Sequence, residues 1–239
     1  MMTMLPEAVP IIDQGINHSL NLLFTSKLAI ELRNDIDPRV LRKLGSLSKE
    51  VIGIIRINDG FNAKLPNSLS RFNRAVIILG SGVGESWFKY IMSLANTIIG
   101  FTLDSLMRLT KIRPSLLNIP NELFIDPIIS TNDAAVVPKA LPKAVIDWLM
   151  DYVDSGGDLY VLVRGDSIGN NINLLMHSRL VFTYNVKLAE LYNSIIKGSF
   201  MGGLKIDVRA GCDFCGSAPN PLCLLTCPNV DLVREVGVE

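Results

Sequence analysis

The sequence predicts an α/β fold: a mostly parallel, Rossmann-like sheet flanked by helices, with a short Cys-rich C-terminal extension. Three observations carry this. Ala75–Leu79 and Leu159–Val163 are apolar runs of strand length that each lead into a polar or glycine loop. Amphipathic helical stretches alternate with such runs, the pattern of a parallel sheet. Hydrophobic residues make up 49% of the 239-residue chain and charged ones only 19%, which suits strands covered on both faces.

Taken in order, residues 5–50 read as helical, with Leu20, Leu23, Leu28, Ile30 and Leu32 as the apolar face. Asp37-Pro38 opens a further helix over Arg39–Leu47, since proline suits the first turn and an acid precedes it. Val51–Ile57 is a β-branched run that ends in the turn residues Asn58-Asp59-Gly60. Ala75–Leu79 then passes through Gly80-Ser81-Gly82-Val83-Gly84 into a helix starting at Glu85. Glycines there allow close backbone approach, and a helix N-terminus beyond them can hold an anion.

Ile98–Leu103 and Leu123–Ile129 are further strands. Leu141–Tyr152 is a helix, with Val145, Trp148, Leu149 and Tyr152 at i, i+3, i+4 and i+7. Leu159–Val163 leads into the loop Arg164–Gly169. Lys187–Lys197 closes the series as a helix with Leu188, Leu191, Tyr192 and Ile195 on one face, and Gly198 sits where a terminating glycine belongs. Ligands of parallel sheets bind where the strands end, so loops 80–84 and 164–169 are expected to open into one crevice.

Composition narrows the function classes. Lys and Arg number 23, as do Asp and Glu, so the basic excess of a nucleic-acid binder is missing. The mean hydropathy is high at +0.34, yet the apolar tracts at 14–26 and 90–103 fall short of the roughly 20 residues a spanning helix needs. The N-terminus has no secretory pattern. A cytoplasmic protein with a large core and a homo-oligomeric interface is expected, with neither nucleic acid nor membrane as partner.

The order of elements resembles the N-terminal domain of the glycerate 2-kinases that carry a MOFRL domain, over roughly residues 10–210. Members have a strand leading to G-x-G-K-A, an H-P-x-P-D segment, a strand leading to S-G-G-G-S-A, and an N-x-V-R-K segment. The matching places hold Gly80-Ser81-Gly82-Val83-Gly84, Asn132-Asp133 through Pro138, Arg164-Gly165-Asp166-Ser167, and Ile206-Asp207-Val208-Arg209.

The resemblance implies a ligand site from Gly80, Ser81, Gly82, Gly84, Asp133, Arg164, Ser167 and Arg209. The departures imply a pseudoenzyme. Valine 83 stands where the family's phosphate-binding lysine would be, Asp166 puts negative charge beside the anion, and the MOFRL domain is missing. The expected function is binding of a small anionic metabolite or nucleotide without phosphoryl transfer, so no catalytic residue is named. ATP and Mg²⁺ enter only if kinase activity persists, and whether the chain is an enzyme stays open.

All four cysteines, Cys212, Cys215, Cys223 and Cys227, lie near the C-terminus. This divides the chain into an α/β domain at 1–210 and a Cys-rich tail at 211–239. Four thiolates can complete a tetrahedral zinc site or hold an Fe–S cluster, and two disulfides or free thiols are the alternatives. If the tail binds metal, the chain could instead be an interaction protein that docks a partner through it. His18 and His177 lie in no motif and are expected in packing or surface roles. Trp87 and Trp148 are expected in the core, and the basic stretch Arg108–Arg113 on a solvated face.

Overall fold

A computed structural model of the chain describes residues 5–13, 25–59, 64–112, 120–130, 135–138, 140–164, 172–197, 221–222 and 225. Eight parallel strands form a closed barrel: β1 (Glu7–Asp13), β2 (Thr25–Glu31), β3 (Ser48–Asp59), β4 (Arg74–Gly82), β5 (Thr97–Thr102), β6 (Glu122–Asp126), β9 (Asp158–Val163) and β10 (Leu180–Thr183). They are neighbours in chain order, and β10 pairs with β1 to close the ring, Ala8 opposite Val181 and Val9 opposite Phe182. Outside run α1 (Pro38–Leu47), α2 (Glu85–Met92), α3 (Leu103–Ile112), α4 (Lys143–Asp154), α5 (Ile172–Met176) and α6 (Val186–Ile196). A small antiparallel pair, β7 (Ile129–Ser130) and β8 (Ala135–Val136), follows β6. Among the described residues six of the eight barrel strands are followed by an α-helix, and β3 by the 3-10 turn Asn67–Arg71, an arrangement of the (β/α)8 type.

The α/β class and the parallel strands agree with the sequence reading, but the open Rossmann-like sheet does not: the sheet closes on itself. The reason lies in residues 5–50, read as helical, where the structure has β1, β2 and the start of β3 around α1. The helix expected at 39–47 is present. The Asp37 carboxylate accepts from the Arg39 amide at 2.8 Å, and Pro38 is the first helical residue.

The barrel has two separate apolar layers. Inside, Val9, Ile52, Ile54, Val76, Phe124 and Phe182 are buried in a cluster that contains no helix residue. Phe124 and Phe182 meet edge to face at 5.1 Å. Outside, the alternate strand residues Leu28, Ile55, Ile77 and Val161 pack against Leu106, Leu149 and Tyr192 of the helices. Two-sided burial explains the unbroken apolar runs.

The helix periodicity expected for α4 holds, with Val145, Leu149 and Tyr152 buried. In α6 the buried face is Ala189, Tyr192 and Asn193 rather than the leucine stripe. Leu222 and Leu225, within the stretch assigned to the tail, are buried in the same outer cluster as the helices. Gly198 and the four cysteines lie outside the described residues. Among those residues no helix is long and apolar enough to cross a membrane.

Candidate functional site

Side chains alternate across a strand, so each strand sends every second residue into the lumen. The inward rows have a common form. On β2 the row ends in Glu31, on β3 in Arg56 after Ile52 and Ile54, and on β6 in Asp126 after Phe124. On β9 it runs through Tyr160 and Leu162 to Arg164, and on β10 through Leu180 and Phe182 to Tyr184. Each row therefore puts a polar side chain at the C-terminal mouth, above an apolar floor. In (β/α)8 proteins this end carries the ligand site.

The five side chains form one hydrogen-bonded network. Arg56 donates through Nε to Glu31, through Nη1 to Asp126, and through Nη2 to the Tyr184 hydroxyl at 3.2 Å. Arg164 donates through Nε to Asp126 Oδ1 at 2.7 Å and through Nη2 to Asp126 Oδ2 and to the Tyr184 hydroxyl, both at 3.2 Å. Tyr184 donates to Glu31 Oε2 at 2.6 Å. The Arg164 guanidinium also lies over the Tyr184 ring, 4.9 Å from its centroid.

Asp126 is fully buried between the two guanidiniums, while the Arg56 and Arg164 side chains are 18% and 24% exposed. At the rim beside them Arg33 pairs with Asp13 at 2.7 Å.

The electrostatics follow from this geometry. Burial disfavours the charge on Arg56, but Asp126, Tyr184 and Glu31 outweigh it and hold the guanidinium above its ordinary range. Burial also pushes the Tyr184 phenol up, against the pull of Arg56 and Arg164. At neutral pH Tyr184 is therefore a phenol with a proton to give.

Of the residues singled out in the sequence, Arg164 belongs to this network. Gly80, Ser81 and Gly82 are the last residues of β4 and Gly84 follows it, at the same end of the barrel, with β5 and β6 between β4 and β9. β4 and β9 end at the same mouth, residues 165–169 of the second loop lie outside the described residues, and Gly80 and Gly82 have a role in packing. A Cβ on Gly82 would lie 2.6 Å from the Asn58 carbonyl oxygen, and one on Gly80 would lie 3.1 Å from Asn58 Oδ1. The register of β3 and β4 shifts here, between Ile57 and Asp59, and the glycines let the strands stay close through the irregularity.

Ser81 gives its carbonyl to Arg108 of α3, and Gly84 caps α2 without a side chain. Asp133, Ser167 and Arg209 lie outside the described residues, as do Cys212, Cys215, Cys223 and Cys227. Among the described residues no group of three or more His, Cys, Asp or Glu side chains could hold a metal ion. His18 also lies outside, and His177 is on the surface, with its ring Nδ1 2.7 Å from the Asn173 carbonyl oxygen.

Sequence reasoning missed Glu31, Arg56, Asp126 and Tyr184. A signal was available: a single polar residue two positions beyond an inward apolar residue at the end of a strand, repeated on several strands. It becomes readable only once each strand's inward parity is known.

The chain matches no family model, and no curated protein is significantly similar to it, so nothing there identifies it as a glycerate kinase relative.

Proposed function

We propose that the C-terminal mouth of the barrel binds a small anionic metabolite, with Arg164 and Arg56 as its cationic contacts. The observation that carries this is the convergence of five polar side chains from five strands on one buried network at the mouth. Two features support use over mere stability. A buried ion-pair cluster is a poor way to stabilise a lumen, because desolvation offsets much of the attraction and apolar residues would serve as well. A guanidinium has five donors, and the bonds described for Arg56 use three of them.

The metabolite class expected from the sequence is kept, but its contacts move from the glycine loop to the arginines. Phosphoryl transfer gains no support. Val83 offers no charge to a phosphate, and the packing against Asn58 accounts for Gly80 and Gly82.

The test is thermal unfolding with inorganic phosphate, glycerate and ATP as probes. A ligand at a hundred times its Kd stabilises by about 2.7 kcal/mol, a rise of several degrees in Tm for a chain of this size. Arg164→Gln is expected to abolish the rise. Absence of any rise for the wild-type chain with all three probes overturns the reading.

The thiols support a second, separate reading. The C-x2-C spacing of Cys212 and Cys215, followed within twelve residues by Cys223 and Cys227, favours a zinc or Fe–S module. Elemental analysis of natively purified protein should return stoichiometric zinc or iron; metal-free protein with two disulfides overturns it.

A further inference from the structure

We infer that Tyr184 is the acid–base group of the mouth, with Glu31 as the acceptor of its proton. The inference rests on the mouth being the ligand site and adds the chemistry that site performs. A tyrosine hydroxyl has one proton and two lone pairs. Both guanidiniums can only donate, and each points an Nη2 at the Tyr184 oxygen from 3.2 Å. The single proton therefore has one direction left, toward Glu31 Oε2 at 2.6 Å. This fixes the hydroxyl without ambiguity and aims it along a short path to a carboxylate. The two guanidinium bonds are long and the Glu31 bond is short, so the phenolic proton is directed at Glu31 before any ligand binds.

A bound anion changes one contact. Arg164 is the more exposed of the two arginines, and an anion that draws its Nη2 leaves a lone pair of the Tyr184 oxygen open to the substrate. The step is then a relay. The substrate's bond to hydrogen breaks and leaves its electron pair on the substrate. The Tyr184 oxygen takes that proton, and the original phenolic proton passes to Glu31. One proton has moved from substrate to Glu31, and the phenol is restored. Arg56 is a positioning residue, since it holds Glu31 and the Tyr184 oxygen together. The substrate class is a small carboxylate or phosphate with an acidic hydrogen near the anionic group.

A carboxylate-bearing arylsulfonyl fluoride tests the relay without knowledge of the substrate. The phenol oxygen forms a bond to sulfur, the sulfur–fluorine bond breaks, fluoride leaves with the electron pair, and the phenolic proton goes to Glu31. Mass spectrometry of the labelled full chain should find Tyr184 modified faster than the other four of the five tyrosines, including the half-exposed Tyr90.

Glu31→Gln keeps the size of the side chain and removes the base, and it should slow labelling of Tyr184 by about a hundredfold, the scale of general-base assistance. Tyr184→Phe should lose that label, and thermal unfolding of both variants checks the fold. Preferential labelling of Tyr90, or a Tyr184 rate indifferent to Glu31→Gln, overturns the relay. The phosphate-dependent rise in Tm is read separately: its absence in the wild type overturns the ligand site, whereas its presence with an unchanged labelling rate overturns only the relay.

Discussion

Asp126 is the residue on which the mouth is built. It is fully buried and accepts from Arg56 and from both Nε and Nη2 of Arg164. Removing one member of a buried charge cluster leaves its partners uncompensated, at a cost of about 3–5 kcal/mol. Asp126→Asn keeps the shape but turns two donors toward the guanidiniums. Urea unfolding should show a loss of that order, and a loss below about 1 kcal/mol would mean that the arginines find other compensation. Tyr184→Phe removes a hydroxyl bonded to three charged groups that stay partly solvated, and should cost less, about 1.5–3 kcal/mol. Gly82 tests the packing account of the glycine loop. Gly82→Ala should destabilise by about 1–3 kcal/mol through the clash with the Asn58 carbonyl. A neutral Gly82→Ala that weakened anion binding would return the loop to the ligand.

At the scale of elements, the sequence made five of the eight strands visible, and those five are contiguous in the barrel: β3, β4, β5, β6 and β9. A contiguous five-strand set reads as an open sheet. The three missed strands, β10, β1 and β2, are also contiguous, and they are the arc that closes it. Each hides its signal for a physical reason. β10 has four residues. β1 carries Pro10, which removes a ladder donor. β2 sends Lys27 and Glu31 inward at the two mouths, so only its middle looks apolar. Glu31 and Tyr184 belong to this missed arc, so the site was lost along with the barrel closure.

β1 is also held by unusual means. Its pairing with β2 begins only at Ile11, and the Ala8 amide and carbonyl instead bond the side chain of Asn193 on α6, at 2.9 and 2.6 Å. Asn193→Leu would strand both buried groups, each costing about 1–3 kcal/mol. Hydrogen exchange should then show faster opening at β1 than at β4. Equal protection of the two strands would mean that β10 alone anchors β1.

The whole molecule is a tube with two polar ends and an apolar middle, and the ends differ in kind. At the N-terminal mouth, Lys27 bridges Glu7 and Glu50, Arg179 pairs with Asp158, and Glu122 takes hydrogen bonds from Arg74 and Tyr160, several of these side chains a quarter exposed or more. Among the described residues, no charged side chain at that end is fully buried as Asp126 is. The N-terminal mouth should therefore govern stability and the C-terminal mouth binding, the division expected of this fold. Acid separates the two. Burial pushes Glu122 up, but Arg74 and Tyr160 outweigh it and hold its carboxyl below the usual range. A folded pKa below the unfolded one contributes stability at neutral pH, lost as the pH falls through the ordinary glutamate range toward the depressed value. Glu122→Gln should therefore flatten the acid limb of the Tm–pH curve and leave the phosphate-dependent rise in Tm intact. Arg164→Gln should do the reverse, keeping the Glu122-dependent acid limb and losing the rise. If Glu122→Gln erased the rise as well, the two mouths would act as one coupled lattice through the aromatic cluster of Tyr160, Phe182 and Phe124 in the lumen between them.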